Sequence, residues 1–176
     1  MAVARTPKGV LLDGAQMTLM SLLVGTAGFL KDRHIPFAEL VSHIGEAFSE
    51  SWGSLEGRGA DEVMKHLLDL QILPLGVEVL SSELKPDKAE VVLTALPGKA
   101  VLEKFGTTPR DLLRGFGVDS QEVALIYGMF EPAAKAIGMR WTHQLKGGKQ
   151  TLRLESKAAT RKTTRKTGTR RPARKS

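Results

Sequence analysis

The sequence predicts an α+β fold: helices packed on one face of a roughly four-stranded antiparallel sheet built from two hairpins, with a disordered basic tail behind it. Three observations carry this prediction. Apolar residues recur at spacings of three and four in the first seventy residues, the period of amphipathic helices. Two short stretches, around residues 77–94 and 139–155, alternate or run apolar about a turn sequence, as hairpins do. Beyond Glu155 the chain holds nine cations and no acid within its last twenty residues. The reading is therefore a short lead over residues 1–9, one domain over 10–156, and a tail over 157–176.

The elements follow in order. A long helix is expected over Val10–Asp32, with Gly14, Gly25 and Gly28 marking a kink or a close approach to another element. Its stretch from Gly14 to Leu30 has no charge, but it is short for a membrane span and is broken by Gln16, Thr18, Ser21 and Thr26. It reads as a buried core helix, which argues against a membrane partner. Pro36 ends it, because the residue before proline avoids the helical region. A second helix over Pro36–Trp52 aligns Phe37, Leu40, Val41, Ile44 and Phe48. A third begins near Ala60 and stops at Pro74 and Gly76. Val77–Leu84 and Ala89–Thr94 read as strands joined by Lys85-Pro86-Asp87-Lys88, which suits a type I turn. A short helix over Lys99–Lys104 comes next. Thr108-Pro109 then supplies an N-cap and a proline at the first helical position. Asp119-Ser120-Gln121-Glu122 has capping-box spacing and opens an apolar helix that Pro132 should bend and Gly138 should end.

The last hairpin has a definite register. Gly147-Gly148 fits a two-residue primed turn, which pairs Lys146 with Lys149. Counting back sets Leu145 opposite Gln150, His143 opposite Leu152, and Trp141 opposite Leu154. The other face pairs Gln144 with Thr151, Thr142 with Arg153, and Arg140 with Glu155. One face comes out largely apolar and the other polar, as a half-buried hairpin requires.

Charge divides the chain into two objects. The net +7 of the whole conceals a body of 17 basic and 19 acidic residues, net −2, and a tail of +9. The tail cations are Lys157, Arg161, Lys162, Arg165, Lys166, Arg170, Arg171, Arg174 and Lys175, mostly in adjacent pairs separated by small polar residues. Such a segment cannot bury enough apolar surface to offset its ordering entropy. The same charge displaces condensed counterions from DNA or RNA and gives salt-sensitive, sequence-independent affinity. In composition the tail resembles those of nucleoid-associated and histone-type proteins. An anionic membrane fits less well, since no large apolar side chain is available to insert. A solubility extension or a tether to an acidic protein are the other readings. Phosphorylation of its hydroxyl residues would weaken polyanion binding.

Other chemistry is sparse. The chain has no cysteine, so disulfides, thiolate nucleophiles and cysteine-metal sites are excluded, and a reducing, cytoplasmic compartment fits. His34, His43, His66 and His143 show no paired-ligand spacing, and no metal site, catalytic residue or cofactor is identified. His143, between Trp141 and Leu145 on the apolar face, stands to line a pocket or ligate a cofactor iron; a core or rim histidine satisfied by backbone is the plainer reading. Thr108–Phe130 has the outline of a helix-turn-helix, but its second helix is apolar where a recognition helix needs polar groups, so it reads as core.

Apolar N-terminal helices, a central hairpin, a helix ending Ala136-Ile137-Gly138, and a final hairpin Gly138-Met-Arg-Trp-Thr-His…Thr151-Leu-Arg-Leu-Glu155 together resemble the vinyl-reductase-type small-molecule-binding domain. The heme–nitric-oxide and vesicle-tethering folds share that layout. The resemblance covers roughly residues 10–155. It implies a pocket for a small apolar ligand between helices and sheet, lined by Trp141, His143, Phe48 and Phe130, and a homodimer. Members often have cysteines in the final hairpin, and this chain has none. The expected function is a non-enzymatic ligand-binding or dimerising domain held on nucleic acid by its tail. An enzyme of small-molecule or pigment metabolism and an architectural nucleoid protein are the alternatives.

Overall fold

A computed structural model describes residues 8–95 and 99–156. The first seven residues, the Leu96-Pro97-Gly98 link and the basic segment with its nine cations, from Lys157 to Lys175, lie outside them.

Helix α1 (Lys8–Asp32) is one unbroken element. The helix runs through Gly14, Gly25 and Gly28 without a break. Gly25 and Gly28 let the loop at Phe116 approach: a Cβ built on Gly28 would lie 2.5 Å from the Phe116 carbonyl oxygen. The helix ends as its last carbonyls accept from Arg33, His34 and Ile35, with His34 in the left-handed region at φ 58°. Helix α2 (Phe37–Ser49) follows and tightens into a 3₁₀ stretch over Glu50–Leu55. Helix α3 (Ala60–Leu67) widens into a π turn at Leu68–Ile72 and a 3₁₀ turn at Leu73–Leu75, closed by Gly76 at φ 76°.

The sheet contains β1 (Val79–Leu84), β2 (Lys88–Thr94), β3 (Met139–Lys146) and β4 (Lys149–Ser156) in the order β1-β2-β4-β3, all antiparallel. The register of the final hairpin is the one the Gly-Gly turn demands, from Lys146 opposite Lys149 to Arg140 opposite Glu155. Both turn glycines have positive φ, 58° and 70°. The two hairpins join through β2 and β4, so the β4 side chains meet neighbours on both sides.

Between the hairpins run α4 (Lys99–Lys104), α5 (Pro109–Gly115), α6 (Ser120–Ala124) and α7 (Phe130–Ala136). Thr108 caps α5 by accepting from the Asp111 N–H, and Asp119 with Glu122 forms the expected capping box on α6. The apolar helix expected after Glu122 is divided. A 3₁₀ stretch over Leu125–Met129 separates α6 from α7, so the break comes before Pro132. Pro132 then falls in the first turn of α7, where its missing N–H costs nothing.

Two apolar clusters hold the fold. The first lies between the inner sheet face and α3, the 3₁₀ stretch at Trp52, and α7; it includes Val91, Leu93, Leu152 and Leu154, all fully buried. The second joins α1 and α2 to α4, α5 and α6 through Met20, Val24, Val41, Leu102, Leu112 and Val123. Ile126 and Met129 pack against both. Ion pairs fasten the ends of α1: Lys31 to Glu122 at 3.0 Å, and Lys104 to Asp13. The helices thus cover one sheet face and leave the other to solvent.

The seam between α2 and α7 depends on Gly45. A Cβ there would sit 2.6 Å from the Met129 carbonyl oxygen and 3.0 Å from Pro132. Gly45→Ala is expected to lose about 1–3 kcal/mol by overpacking. Gly14→Ala, with nothing within 4 Å, is expected to gain roughly 0.5–1 kcal/mol from helix propensity. Urea midpoints of the two variants, moving in opposite directions, check this.

Candidate functional site

Trp141 and Phe130 belong to the core. Phe130 is 1% exposed and sits between two indoles: Trp141 at 5.2 Å edge-on, and Trp52 at 6.0 Å in a stacked arrangement. The Trp141 N–H donates to the Tyr127 carbonyl oxygen at 2.8 Å. These rings fill the space between helices and sheet in which the resemblance implies a ligand. Among the described residues, three side chains have buried polar atoms without a hydrogen-bond partner: the Trp52 indole N–H, the Gln71 amide oxygen and both ends of the Gln150 amide. Phe48, on α2, is partly exposed and belongs to neither cluster.

His143 stands apart from those three. It lies on β3, an edge strand, and lines a groove of about 470 Å³ between α2, the Leu125–Met129 turn and α7. Of the four residues expected to share a pocket, it alone is among those lining this groove. The sequence pattern did not point to the others: Ser42 and Glu46 from α2, Gly128, and Glu131 and Lys135 from α7. Their signal was available as two polar i,i+4 pairs, Ser42/Glu46 and Glu131/Lys135, since residues four apart share a helix face.

Gly128 shapes the groove. A Cβ there would lie 3.4 Å from His143 Nε2 and 3.4 Å from Val41. Burial pushes the His143 pKa below its ordinary 6.5, and the nearby Glu131 carboxylate opposes that only in part. The imidazole is therefore neutral at pH 7, with one nitrogen to donate and one to accept. The groove offers a neutral imidazole, a hydroxyl, carboxylates and an ammonium over an apolar floor, a set that can hold and orient a small polar molecule. Among the described residues no three His, Cys, Asp or Glu side chains group closely enough to hold a metal ion.

Unfolding would return His143 to its ordinary value, so below pH 6.5 the unfolded chain takes up a proton that the folded chain resists. The stability from this residue is whole above pH 6.5 and falls as pH drops to and through the folded value. His143→Gln is expected to flatten that acid-side slope. Urea midpoints compared at about pH 5 and pH 8 measure it.

The solvent face of the sheet forms a shallow polar concavity of about 500 Å³ along Arg140, Thr142, Gln144, Thr151, Arg153 and Glu155. Part of its charge is compensated, with Arg153 on Glu90 at 2.7 Å and Lys88 on the same carboxylate at 3.8 Å.

No helix among the described residues is long and apolar enough to cross a membrane. The architecture defines the class: an α+β protein with an open four-stranded antiparallel sheet. Comparisons with protein-family models, with curated proteins and with solved structures find no match to the chain.

Proposed function

We propose that this chain is a non-enzymatic binding module held on nucleic acid by its C-terminal cations, with a folded body that self-associates and takes a small ligand beside His143. Charge segregation carries the reading: nine cations follow the last acid, and the preceding 156 residues are net −2. Some cations on the body engage its own acids, as in Lys31–Glu122, Lys104–Asp13 and Arg153–Glu90, and over the body as a whole acids outnumber cations 19 to 17. The concentrated positive charge for a polyanion is that of Lys157–Lys175. Gel retardation of duplex DNA by the full chain, set against a chain ending at Ser156, tests it. Ser156 is a sound end point, because its N–H donates to Asp87 and closes β4 onto the first hairpin turn.

The ligand part of the reading rests on the His143 groove. The resemblance of the sequence to a small-molecule-binding layout is its other support. The groove's polar lining favours a small molecule with hydrogen-bonding groups over a wholly apolar one. Native mass spectrometry of the purified chain and of His143→Ala tests this, by a bound mass present in the first and absent in the second.

A further inference from the structure

The uncharged stretch of α1 reads in sequence as a buried core helix, and only half of it is buried. Met20, Val24 and Ala27 face the second cluster. The opposite side is open to solvent, with Leu12 56%, Leu19 43%, Leu22 64% and Phe29 54% exposed. From Gly9 to Leu30 that side has no charged residue; the one acid in the interval, Asp13, is held by Lys104. The solvent face of a surface helix is ordinarily polar, so this face calls for a cover.

We propose that α1 pairs antiparallel with α1 of a second copy of this chain, along the stripe Leu12, Ala15, Leu19, Leu22, Thr26 and Phe29. The stripe alternates spacings of three and four, the seam of two helices packed at a shallow angle. Its size order is large, small, large, large, small, large, which is the same read from either end. A two-fold axis passing between Leu19 and Leu22 therefore sets large residues against large and small against small: Leu12 meets Phe29 of the second copy, Ala15 meets Thr26, and Leu19 meets Leu22. This is the self-complementarity an isologous interface needs. The same alignment brings the Lys8 end of one helix to the Asp32 end of the other and opposes their dipoles.

The area is adequate. The six exposed residues of the stripe together offer on the order of 500 Å² per protomer, about 1,000 Å² for the pair, which reaches the lower bound of a specific interface. The stripe has one cation against it, Arg33 stacked over the Phe29 ring at 4.3 Å, where a helix drawn to an anionic lipid surface has a row of them along its polar face. The inference rests on the self-association proposed above and is independent of the tail.

Light scattering on the full chain at about 50 µM should give twice the 19.1 kDa of one chain. Leu19→Glu/Leu22→Glu should give one chain mass with an unchanged far-ultraviolet spectrum, since both side chains are exposed. The register is read separately, in a chain that has no cysteine of its own. A short bis-maleimide should link Leu12→Cys to Phe29→Cys when the two variants are mixed. It should not link Leu12→Cys to itself, because the two copies of residue 12 lie about 25 Å apart in an antiparallel pair. DNA retardation by the double-Glu variant, persisting through its tail, keeps this test apart from that of the nucleic-acid reading. A monomeric full chain, a double-Glu variant that stays dimeric, or self-linking of Leu12→Cys would overturn the proposal. So would a monomer that floats with phosphatidylglycerol vesicles and loses that binding on Leu22→Glu, an outcome that assigns the stripe to lipid.

Discussion

Removing the last twenty residues is expected to abolish measurable retention of duplex DNA at moderate salt, with little change in the stability of the body. Each cation that neutralises a phosphate releases a condensed counterion, and the logarithm of affinity falls with the logarithm of salt in proportion to the number engaged. With most of the nine cations engaged, the full chain should lose about 10³–10⁵ in affinity between 50 and 200 mM salt. Neutralising Arg170 and Arg171 should reduce the salt slope by about 2, without altering preference among sequences. Fluorescence anisotropy across a salt series reads both effects. Equal affinity of residues 1–156 and the full chain would leave the nucleic-acid role with no physical source, because the remaining charge is net −2.

Phe130→Ala is expected to lower the unfolding free energy by about 3–5 kcal/mol, the range for truncating a buried aromatic residue. That is a large part of a typical domain's 5–15 kcal/mol, so the variant should melt far below the parent. The ring is 1% exposed and forms the centre of the Trp52–Phe130–Trp141 stack. Its loss leaves a cavity facing two indoles, one of which is fixed by its bond to the Tyr127 carbonyl. Phe48→Ala, at a residue 37% exposed, is expected to cost no more than about 1 kcal/mol. Urea denaturation followed by tryptophan fluorescence separates the two. Similar midpoints for both variants would place Phe130 outside the core.

The contrast between these phenylalanines shows what pattern reading can and cannot resolve. Both occupy apolar positions of expected helices, and both enter the candidate pocket as what the family resemblance implies. Only packing separates them: α7 lies directly on β3 and buries Phe130, while Phe48 sits near the end of α2 where the chain turns into a 3₁₀ stretch. The hairpin behaves differently. Its register was legible because a two-residue turn with positive φ at both glycines admits one pairing, and a slip by one residue would carry Trp141 and Leu152 to the solvent face. His143 was thereby placed on the correct face. Its groove partners were not legible, because Ser42, Glu46, Glu131 and Lys135 reach it from helices whose relative position is not encoded in any local spacing. Pro132 misled for a similar reason. Proline marks a disturbance in a helix, but whether it bends the middle or opens a new first turn depends on where the preceding 3₁₀ stretch begins.

Local chemistry determined the caps, the turns, the hairpin register, the α+β class and the division of charge between body and tail. Each follows from the properties of residues near one another along the chain. Tertiary structure alone decided which apolar faces are covered: that Trp141 and Phe130 fill the core, that His143 borders a groove, and that α1 keeps Leu12, Leu19, Leu22 and Phe29 in solvent. Burial is a property of what else packs against a surface, and the partner of a surface lies far away in sequence.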